Sequence, residues 1–107
     1  MNKRDYDDPQ YKKWRFLVYK RDRFTCQWCG RTGKGAKINA HHIRQWAKYP
    51  TLRFDVKNGI CLCSRCHKKT FGKEEQLAEF FHNKINKSRI HEINKMILDE
   101  QRIQSNN

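Results

Sequence analysis

The chain has 107 residues, of which 36% are hydrophobic and 33% are charged. Such a composition supplies little hydrophobic core, and small domains of this kind are often supplemented by metal ions or disulfides. Its 24 Lys and Arg residues against 11 Asp and Glu residues give a net charge of +13. This excess predicts a polyanionic partner, nucleic acid by default, because basic residues that merely solvated the surface would repel one another at a cost.

The first predicted element is a helix over residues 9–21. Asp8 is its expected N-cap and Pro9 its first helical residue, while the neighbouring acidic residues are interpreted as helix-entry chemistry. An apolar stripe that is expected to pack in the core consists of Tyr11, Trp14, Leu17 and Val18. The basic residues that point largely away from this stripe are candidates for phosphate contacts: Lys12, Lys13, Arg15, Lys20 and Arg21.

Two Cys-x-x-Cys pairs follow, Cys26 with Cys29 and Cys63 with Cys66. Each spacing lets two thiolates face one ion, and Gly30 permits the tight turn that such a knuckle needs. The four cysteines therefore predict a closed tetrahedral site for structural zinc. Because no apolar N-terminal run or membrane span is present, the chain is expected to be cytoplasmic, where paired cysteines hold metal rather than form disulfides.

Cys61 is the fifth cysteine. It precedes Cys63 by two residues on a predicted strand, so it is expected to share the face of Cys63. A Cys-x-Cys spacing makes a poorer tetrahedral chelate. Cys61 is therefore predicted to be a small buried hydrophobic residue and not a ligand.

The segment between the two pairs is predicted to hold a strand at residues 37–43, a basic aromatic loop at 44–57 and a second strand at 59–62. After the second pair, Ser64 is predicted to cap a short helix that ends at Gly72. These elements predict a small α+β fold.

The last third of the chain is predicted to be helical. A four-residue apolar spacing predicts one helix at about residues 74–85, and a second apolar pattern predicts another at about residues 88–102. The residues of the two patterns are Leu77, Phe81 and Ile85, and then Ile90, Ile93 and Ile97. His82 and His91 lack partners at metal-ligand spacing and are interpreted as ordinary helix residues.

An adjacent pair, His41 and His42, stands near the end of the first predicted strand. Adjacent strand residues point to opposite sides, so the two side chains cannot comfortably bind one ion together. One of them can hold a second metal while the other stays free as a base, provided that the chain bends there. The alternative from this pair alone is two surface histidines.

The order CxxCG, HHI and NGICLCSRCH resembles the zinc-knuckle branch of the HNH endonucleases, particularly the small stand-alone enzymes encoded by bacteriophages. The resemblance covers about residues 26–72. It implies a ββα-metal motif, a hairpin followed by a helix, braced by the four-cysteine zinc knuckle. The whole chain, residues 1–107, is then expected to be a single HNH domain whose core motif lies at about residues 24–72, between flanking helices.

Position by position, the resemblance implies that His41 and His67 bind a catalytic divalent metal and that His42 is the general base. Asn58 takes the middle position of the motif, where the amide holds the loop that orients the base. His41 stands where many relatives have Asp, which leaves Mg, Mn, Ni, Co and Zn open and favours the softer ions. Phe71 stands where some relatives supply a third histidine ligand.

The resemblance thus implies a metal-dependent DNA endonuclease that nicks one strand per site with low sequence specificity. His42 is expected to be neutral if its pKa stays near the ordinary value of about 6.5. Side chains expected to hold the phosphate backbone are Arg44, Lys48, Arg53, Lys68 and Lys69. Other phage or packaging proteins are conceivable further partners. The alternatives are a non-catalytic zinc-knuckle nucleic-acid binder, which needs neither His42 nor His67, and an enzyme acting on RNA.

Overall fold

The computed structural model describes residues 4–86, which form a small α+β fold as predicted. Its elements are α1 (Pro9–Arg21), β1 (Ile38–His42), β2 (Gly59–Cys63), α2 (Ser64–Lys68) and α3, which is helical from residue 74 to residue 86. Two short 3₁₀ turns, Pro50–Leu52 and Val56–Asn58, lie in the connection between the strands. No helix within residues 4–86 is long and apolar enough to cross a membrane. The helix predicted at 88–102, with His91, lies outside the described residues.

Helix α1 begins and ends at the predicted residues. The Asp8 side chain accepts a hydrogen bond from the backbone N–H of Gln10 at 2.9 Å, which satisfies one of the free donors of the first turn. The buried face consists of Tyr11, Trp14, Val18 and Tyr19. Leu17, which was predicted to belong to this stripe, is only half-buried.

The two strands form an antiparallel hairpin in which Ile38 pairs with Cys63 and His42 pairs with Gly59. Every residue of β2 is buried, because α1 packs on one face of the strand and the knuckle with α3 packs on the other. At Gly59 the helix comes so close that a Cβ atom would collide with Val18 and lie 2.7 Å from Trp14 Cζ2. Only glycine fits at this crossing.

The side chains of β2 divide the core into two clusters. One cluster lies between the hairpin, the knuckle and α3, and its largest members are Ile43, Ile60, Leu62 and Phe81. The other lies under α1 and contains Cys61. Cys63 belongs to the first cluster, so the expectation that Cys61 and Cys63 share a face is wrong. The strand ends at Cys63, where the backbone turns into α2.

The start of α2 also differs from the prediction. Cys63, not Ser64, is its N-cap, since the Cys63 Sγ accepts from the backbone N–H of Cys66 at 3.5 Å. The Cys63 thiol thus accepts a hydrogen bond from a free backbone N–H of the first turn, a role that was expected for the hydroxyl of Ser64. The helix ends at Lys68, and turns continue to Gly72, whose φ of 78° is in the left-handed region.

An ion pair at the end of α1 ties the helix to β2. Arg21 Nε lies 2.8 Å from Asp22 Oδ1, and the buried Asp22 carboxylate accepts from the backbone N–H of Cys61 at 2.8 Å. Arg21 also donates to the carbonyls of Val56 at 2.7 Å and Gly59 at 2.6 Å. The prediction that Arg21 is available for phosphate is therefore wrong, because its donors are used within the fold.

Candidate zinc site and histidine cleft

The thiol groups of the two cysteine pairs form one cluster. The Sγ atoms of Cys26, Cys29, Cys63 and Cys66 all lie within 4.8 Å of one another, and those of Cys29 and Cys63 are 3.7 Å apart. Zinc–sulfur bonds of about 2.3 Å in a tetrahedron place the sulfurs about 3.8 Å apart. The four thiols therefore fit a structural zinc ion, and Gly30 supplies the predicted left-handed turn with a φ of 84°.

Cys61 lies outside this cluster. Its side chain is fully buried under α1, where its thiol donates a hydrogen bond to the Val18 carbonyl at 3.7 Å. Burial raises the pKa of the Cys61 thiol to about 12, so the thiolate that a metal needs is strongly disfavoured. Its interpretation as a small buried hydrophobic residue is confirmed.

His41 and His67 face each other in an open cleft. His41 is the penultimate residue of β1, and His67 lies on α2 directly after the zinc-site residue Cys66. The centroids of the two rings are 5.3 Å apart. Burial, followed by the charge of His67, lowers the pKa of His41 to about 3. Its Nε2 is buried and has no hydrogen-bond partner. A neutral imidazole with an unpaired buried nitrogen is a ready metal ligand.

These two imidazoles fit a divalent ion that completes its coordination with water or substrate. Phe71 occupies the position of a possible third ligand, and its ring lies 5.3 Å from that of His67 without a donor atom. Within residues 4–86, the four cysteines are the only set of three or more His, Cys, Asp or Glu side chains that converge on one point. The histidine pair therefore leaves an incomplete coordination shell, as a catalytic ion requires.

His42 points to the opposite side of β1, as predicted for a residue adjacent to His41. Its ring stacks on Trp14, with centroids 3.9 Å apart and planes 9° apart. Its Nε2 lies 3.0 Å from the carbonyl oxygen of Arg53. Because a carbonyl only accepts hydrogen bonds, Nε2 carries the proton and Nδ1 keeps the lone pair. That Nδ1 is buried and unpartnered, so it is the basic atom of the ring.

The environment of His42 makes it a weaker base than expected. Burial lowers its pKa to about 4, and the hydrogen bond to the Arg53 carbonyl only partly opposes this. The pKa of His42 therefore does not stay near the ordinary value of 6.5, because the Trp14 stack and the surrounding loop exclude water from the ring. The expected neutral form at pH 7 is nevertheless present.

Asn58 fastens the loop that carries this carbonyl. The side chain is buried, and its Oδ1 accepts from the backbone N–H of Arg44 at 2.7 Å. Its Nδ2 donates to the carbonyls of Arg44 at 3.1 Å and Leu52 at 3.2 Å. Three hydrogen bonds thus join both ends of the loop, and Leu52 is the neighbour of Arg53. The amide therefore fixes the carbonyl that selects the tautomer of His42.

The family model of the HNH endonucleases matches residues 26–70, the segment that holds both cysteine pairs, the hairpin, α2 and the three cleft histidines. Over these residues the chain is similar to the HNH endonuclease family. This match supports a nuclease and implies a nucleic-acid substrate. No curated protein and no solved structure gives a significant match. Residues 26–70 are called the HNH segment below.

Some basic residues of the HNH segment bind within the protein. Arg53 Nε donates to the Trp46 carbonyl at 2.8 Å, and its guanidinium lies 4.6 Å from the centre of the Trp46 ring. Arg44 forms an ion pair with Glu75 at 3.3 Å. Lys48, in contrast, is exposed and lines the cleft. Trp46 packs on His42, with ring centroids 5.4 Å apart.

The cleft around the HNH histidines has a volume of about 1080 Å³ and a basic lining. Its cationic residues are Arg4, Lys12, Arg15, Lys37 and Lys48, against the single carboxylate of Glu74. Sequence analysis assigned no phosphate contact to Arg4 or Lys37, although Lys37 begins the first predicted strand. Three buried side-chain atoms in residues 4–86 lack partners, and all belong to residues lining this cleft: His41, His42 and Gln45.

Proposed function

We propose that the protein is a metal-dependent DNA endonuclease that hydrolyses phosphodiester bonds, nicking one strand per site with low sequence specificity. The observation that carries the proposal is that the two adjacent histidines at the end of β1 have different surroundings. His41 faces His67 with an unpaired nitrogen, while His42 turns away with its tautomer fixed by a backbone carbonyl. Ordinary surface histidines would be exposed, whereas His41 and His42 are buried.

His41 and His67 would hold the catalytic divalent ion. When bound, that ion would supply positive charge to the phosphate oxygens and the departing 3′ oxygen as negative charge develops on them. Two imidazole donors without a protein carboxylate favour Mn, Co, Ni or Zn over Mg. Phe71 leaves the remaining coordination positions to water and substrate oxygens.

His42 would act as the general base through Nδ1. This nitrogen accepts a proton from water, the water oxygen forms a bond to phosphorus, and the bond to the 3′ oxygen breaks. Meanwhile Nε2 keeps its hydrogen bond to the Arg53 carbonyl, which stabilises the imidazolium that forms. Because burial lowers the pKa of His42 to about 4, its ring is neutral at the working pH and Nδ1 is free to accept that proton.

Asn58 and Trp14 would be positioning residues. The three hydrogen bonds of Asn58 hold the loop, and the indole of Trp14 fixes the plane of the His42 ring. A base that is oriented before substrate arrives avoids the cost of ordering it during the reaction. Low sequence specificity follows from the cations of the cleft, since contacts to phosphate position a duplex without reading its bases.

The test is cleavage of supercoiled plasmid with each candidate ion, with and without EDTA, alongside His42→Ala purified in the same way. Nicked circles should appear before linear DNA, since one ion and one base cleave one strand. Zinc analysis after EDTA treatment separates loss of the catalytic ion from loss of the structural one. Ion-independent DNA binding without cleavage under every ion would instead indicate the zinc-knuckle binder, and cleavage of RNA alone would indicate an RNA enzyme.

A further inference from the structure

One wall of the cleft lies outside the HNH segment. It is formed by the chain before α1 and by one face of α1 itself. The residues that line the cleft from this side are Arg4, Tyr6, Tyr11, Lys12, Arg15 and Tyr19. The HNH histidines form the facing part of the same cleft, so a strand bound at the histidines runs against this wall.

The acidic residues before α1 build the turn that presents Arg4. The Asp5 carboxylate accepts from the backbone N–H of Asp7 at 3.0 Å, and the Asp5 carbonyl accepts from the N–H of Asp8 at 3.2 Å. The chain therefore folds back toward the loop of the HNH segment. The Arg4 guanidinium lies 5.2 Å from the centre of the Trp46 ring, which also packs on His42.

Arg4 is half-buried and no carboxylate in residues 4–86 forms an ion pair with it. It lines the cleft together with all three HNH histidines. A guanidinium removed from part of its water gains from an anion that accepts two of its parallel N–H donors. A phosphate of a nucleic-acid strand meets this need, and the cleft is where such a strand would lie.

Lys12 and Lys13 are neighbours on α1 but face different ways. Successive residues of a helix point about 100° apart, and Lys12 lines the cleft whereas Lys13 lines a smaller hollow beside Phe54. The only ion pair of Lys12 within the described chain is a 4.0 Å contact with the exposed Asp7. Exposed pairs of this kind contribute little, so Lys12 is available to an incoming anion.

We propose that Arg4 and Lys12 form a phosphate-binding subsite that holds the DNA backbone on the α1 side of His42. This inference rests on the proposed function, which supplies DNA as the substrate. It adds the path that the bound DNA strand takes across the cleft. The path runs from the His41 and His67 pair, past His42, to the wall of α1. The subsite contacts the backbone alone and adds no preference for sequence.

Salt dependence of DNA binding tests the subsite without any cleavage. Binding of a duplex is measured over a salt series, with no catalytic ion added, for the wild type, Arg4→Ala, Lys12→Ala and the matched control Lys13→Ala. The plot of log affinity against log salt should become shallower by about 0.9 for each lost phosphate contact. Lys13→Ala removes the same charge and should keep the wild-type slope. Equal slopes for the Lys12 and Lys13 variants would overturn the proposal.

Cleavage supplies the second test. Arg4→Ala should lower kcat/KM about 10- to 100-fold, the usual effect of losing a charged hydrogen bond, and Arg4→Lys should recover part of it. The substrates are a set of short duplexes, each with a single neutral methylphosphonate linkage at a different position. Wild-type cleavage should slow when the neutral linkage lies at one fixed distance from the cut, and Arg4→Ala should lose that dependence. If cleavage by Arg4→Ala depended on the position of the neutral linkage in the same way as cleavage by the wild type, the proposed contact between Arg4 and phosphate would be wrong.

The outcomes distinguish this subsite from the proposed function. If the wild type cleaves no nucleic acid, the proposed function fails, and the salt slopes still decide the subsite. If the wild type cleaves while Arg4→Ala and Lys12→Ala keep wild-type slopes, the subsite alone fails. Zinc content and circular dichroism establish that each variant is folded. If Arg4→Ala does not fold, the salt slope of Lys12→Ala decides whether the phosphate subsite exists.

Discussion

The imidazole of His42 lies flat on the indole of Trp14, with 3.9 Å between the ring centroids and 9° between the planes. Trp14 is itself fixed, because its Nε1 donates to the Asp55 carbonyl at 2.8 Å and its side chain is fully buried. Trp14 belongs to α1, outside the HNH segment. The orientation of the proposed base therefore depends on a helix that the family match does not include.

His42→Ala is expected to lower the cleavage rate by about 10² to 10⁴, the usual contribution of a positioned general base. Fold, structural zinc and DNA binding should remain close to wild type, since neither zinc nor the proposed phosphate subsite uses this side chain. Plasmid nicking measures the rate, and zinc analysis and duplex binding serve as controls. Nicking at the wild-type rate by His42→Ala would reject the mechanism.

His41→Ala and His67→Ala should act differently, because they remove proposed ligands and not the base. Each should weaken binding of the catalytic ion, so activity should partly recover as the concentration of Mn²⁺ is raised. A metal titration of nicking by each variant, with His42→Ala as the control that should not recover, makes the comparison. Recovery of His42→Ala at high Mn²⁺ would contradict the assignment of roles.

Gly59→Ala should destabilise the fold by about 1 to 3 kcal/mol, the range seen when a packed core receives extra atoms. The added methyl would push α1 away from β2 at Val18 and Trp14. Because Trp14 supports His42, cleavage should fall as well. Gly35→Ala is the matched control, since a Cβ atom there meets nothing within 4 Å. Thermal or urea unfolding that is the same for both variants would show that the contact with α1 is unimportant.

Arg21→Ala should lower the free energy of unfolding by about 3 kcal/mol, because it leaves the buried Asp22 carboxylate without its ion-pair partner. Lys20→Ala, one residue earlier on the exposed face of α1, should change stability little. Urea unfolding of both variants tests the difference. DNA binding measured on the folded variants should show no special loss for Arg21→Ala, contrary to the expectation from sequence that Arg21 contacts phosphate.

Serine at any of the four zinc-site cysteines should release zinc and unfold much of the chain, because metal binding supplies folding free energy in small domains. Cys61→Ser should retain zinc, since Cys61 lies outside the cluster and a hydroxyl can still donate to the Val18 carbonyl. Zinc stoichiometry and circular dichroism measure both. The ligand set would be wrong if Cys61→Ser lost zinc while Cys63→Ser kept it.

Local patterns in the sequence determined the bounds of α1, the hairpin and the membership of the zinc site. Asp8 and Pro9 define a helix start through their own backbone preferences, and two Cys-x-x-Cys pairs place thiols at chelating distance by spacing alone. Adjacent residues of a strand diverge, so His41 and His42 were correctly expected to face opposite ways. The roles of these histidines and of Asn58 were supplied by the resemblance to the HNH family.

Only the tertiary structure decided what surrounds each of these groups. Arg21 looked like a free surface cation because its partners, the carbonyls of Val56 and Gly59, are more than thirty residues away in the chain. The low pKa of His42 arises from Trp14 and the loop packed around its ring, and the cleft position of Arg4 arises from a turn that returns the chain to Trp46. Burial and electrostatic fields sum over neighbours in space, whereas helix caps and chelate spacings are set by neighbours in sequence.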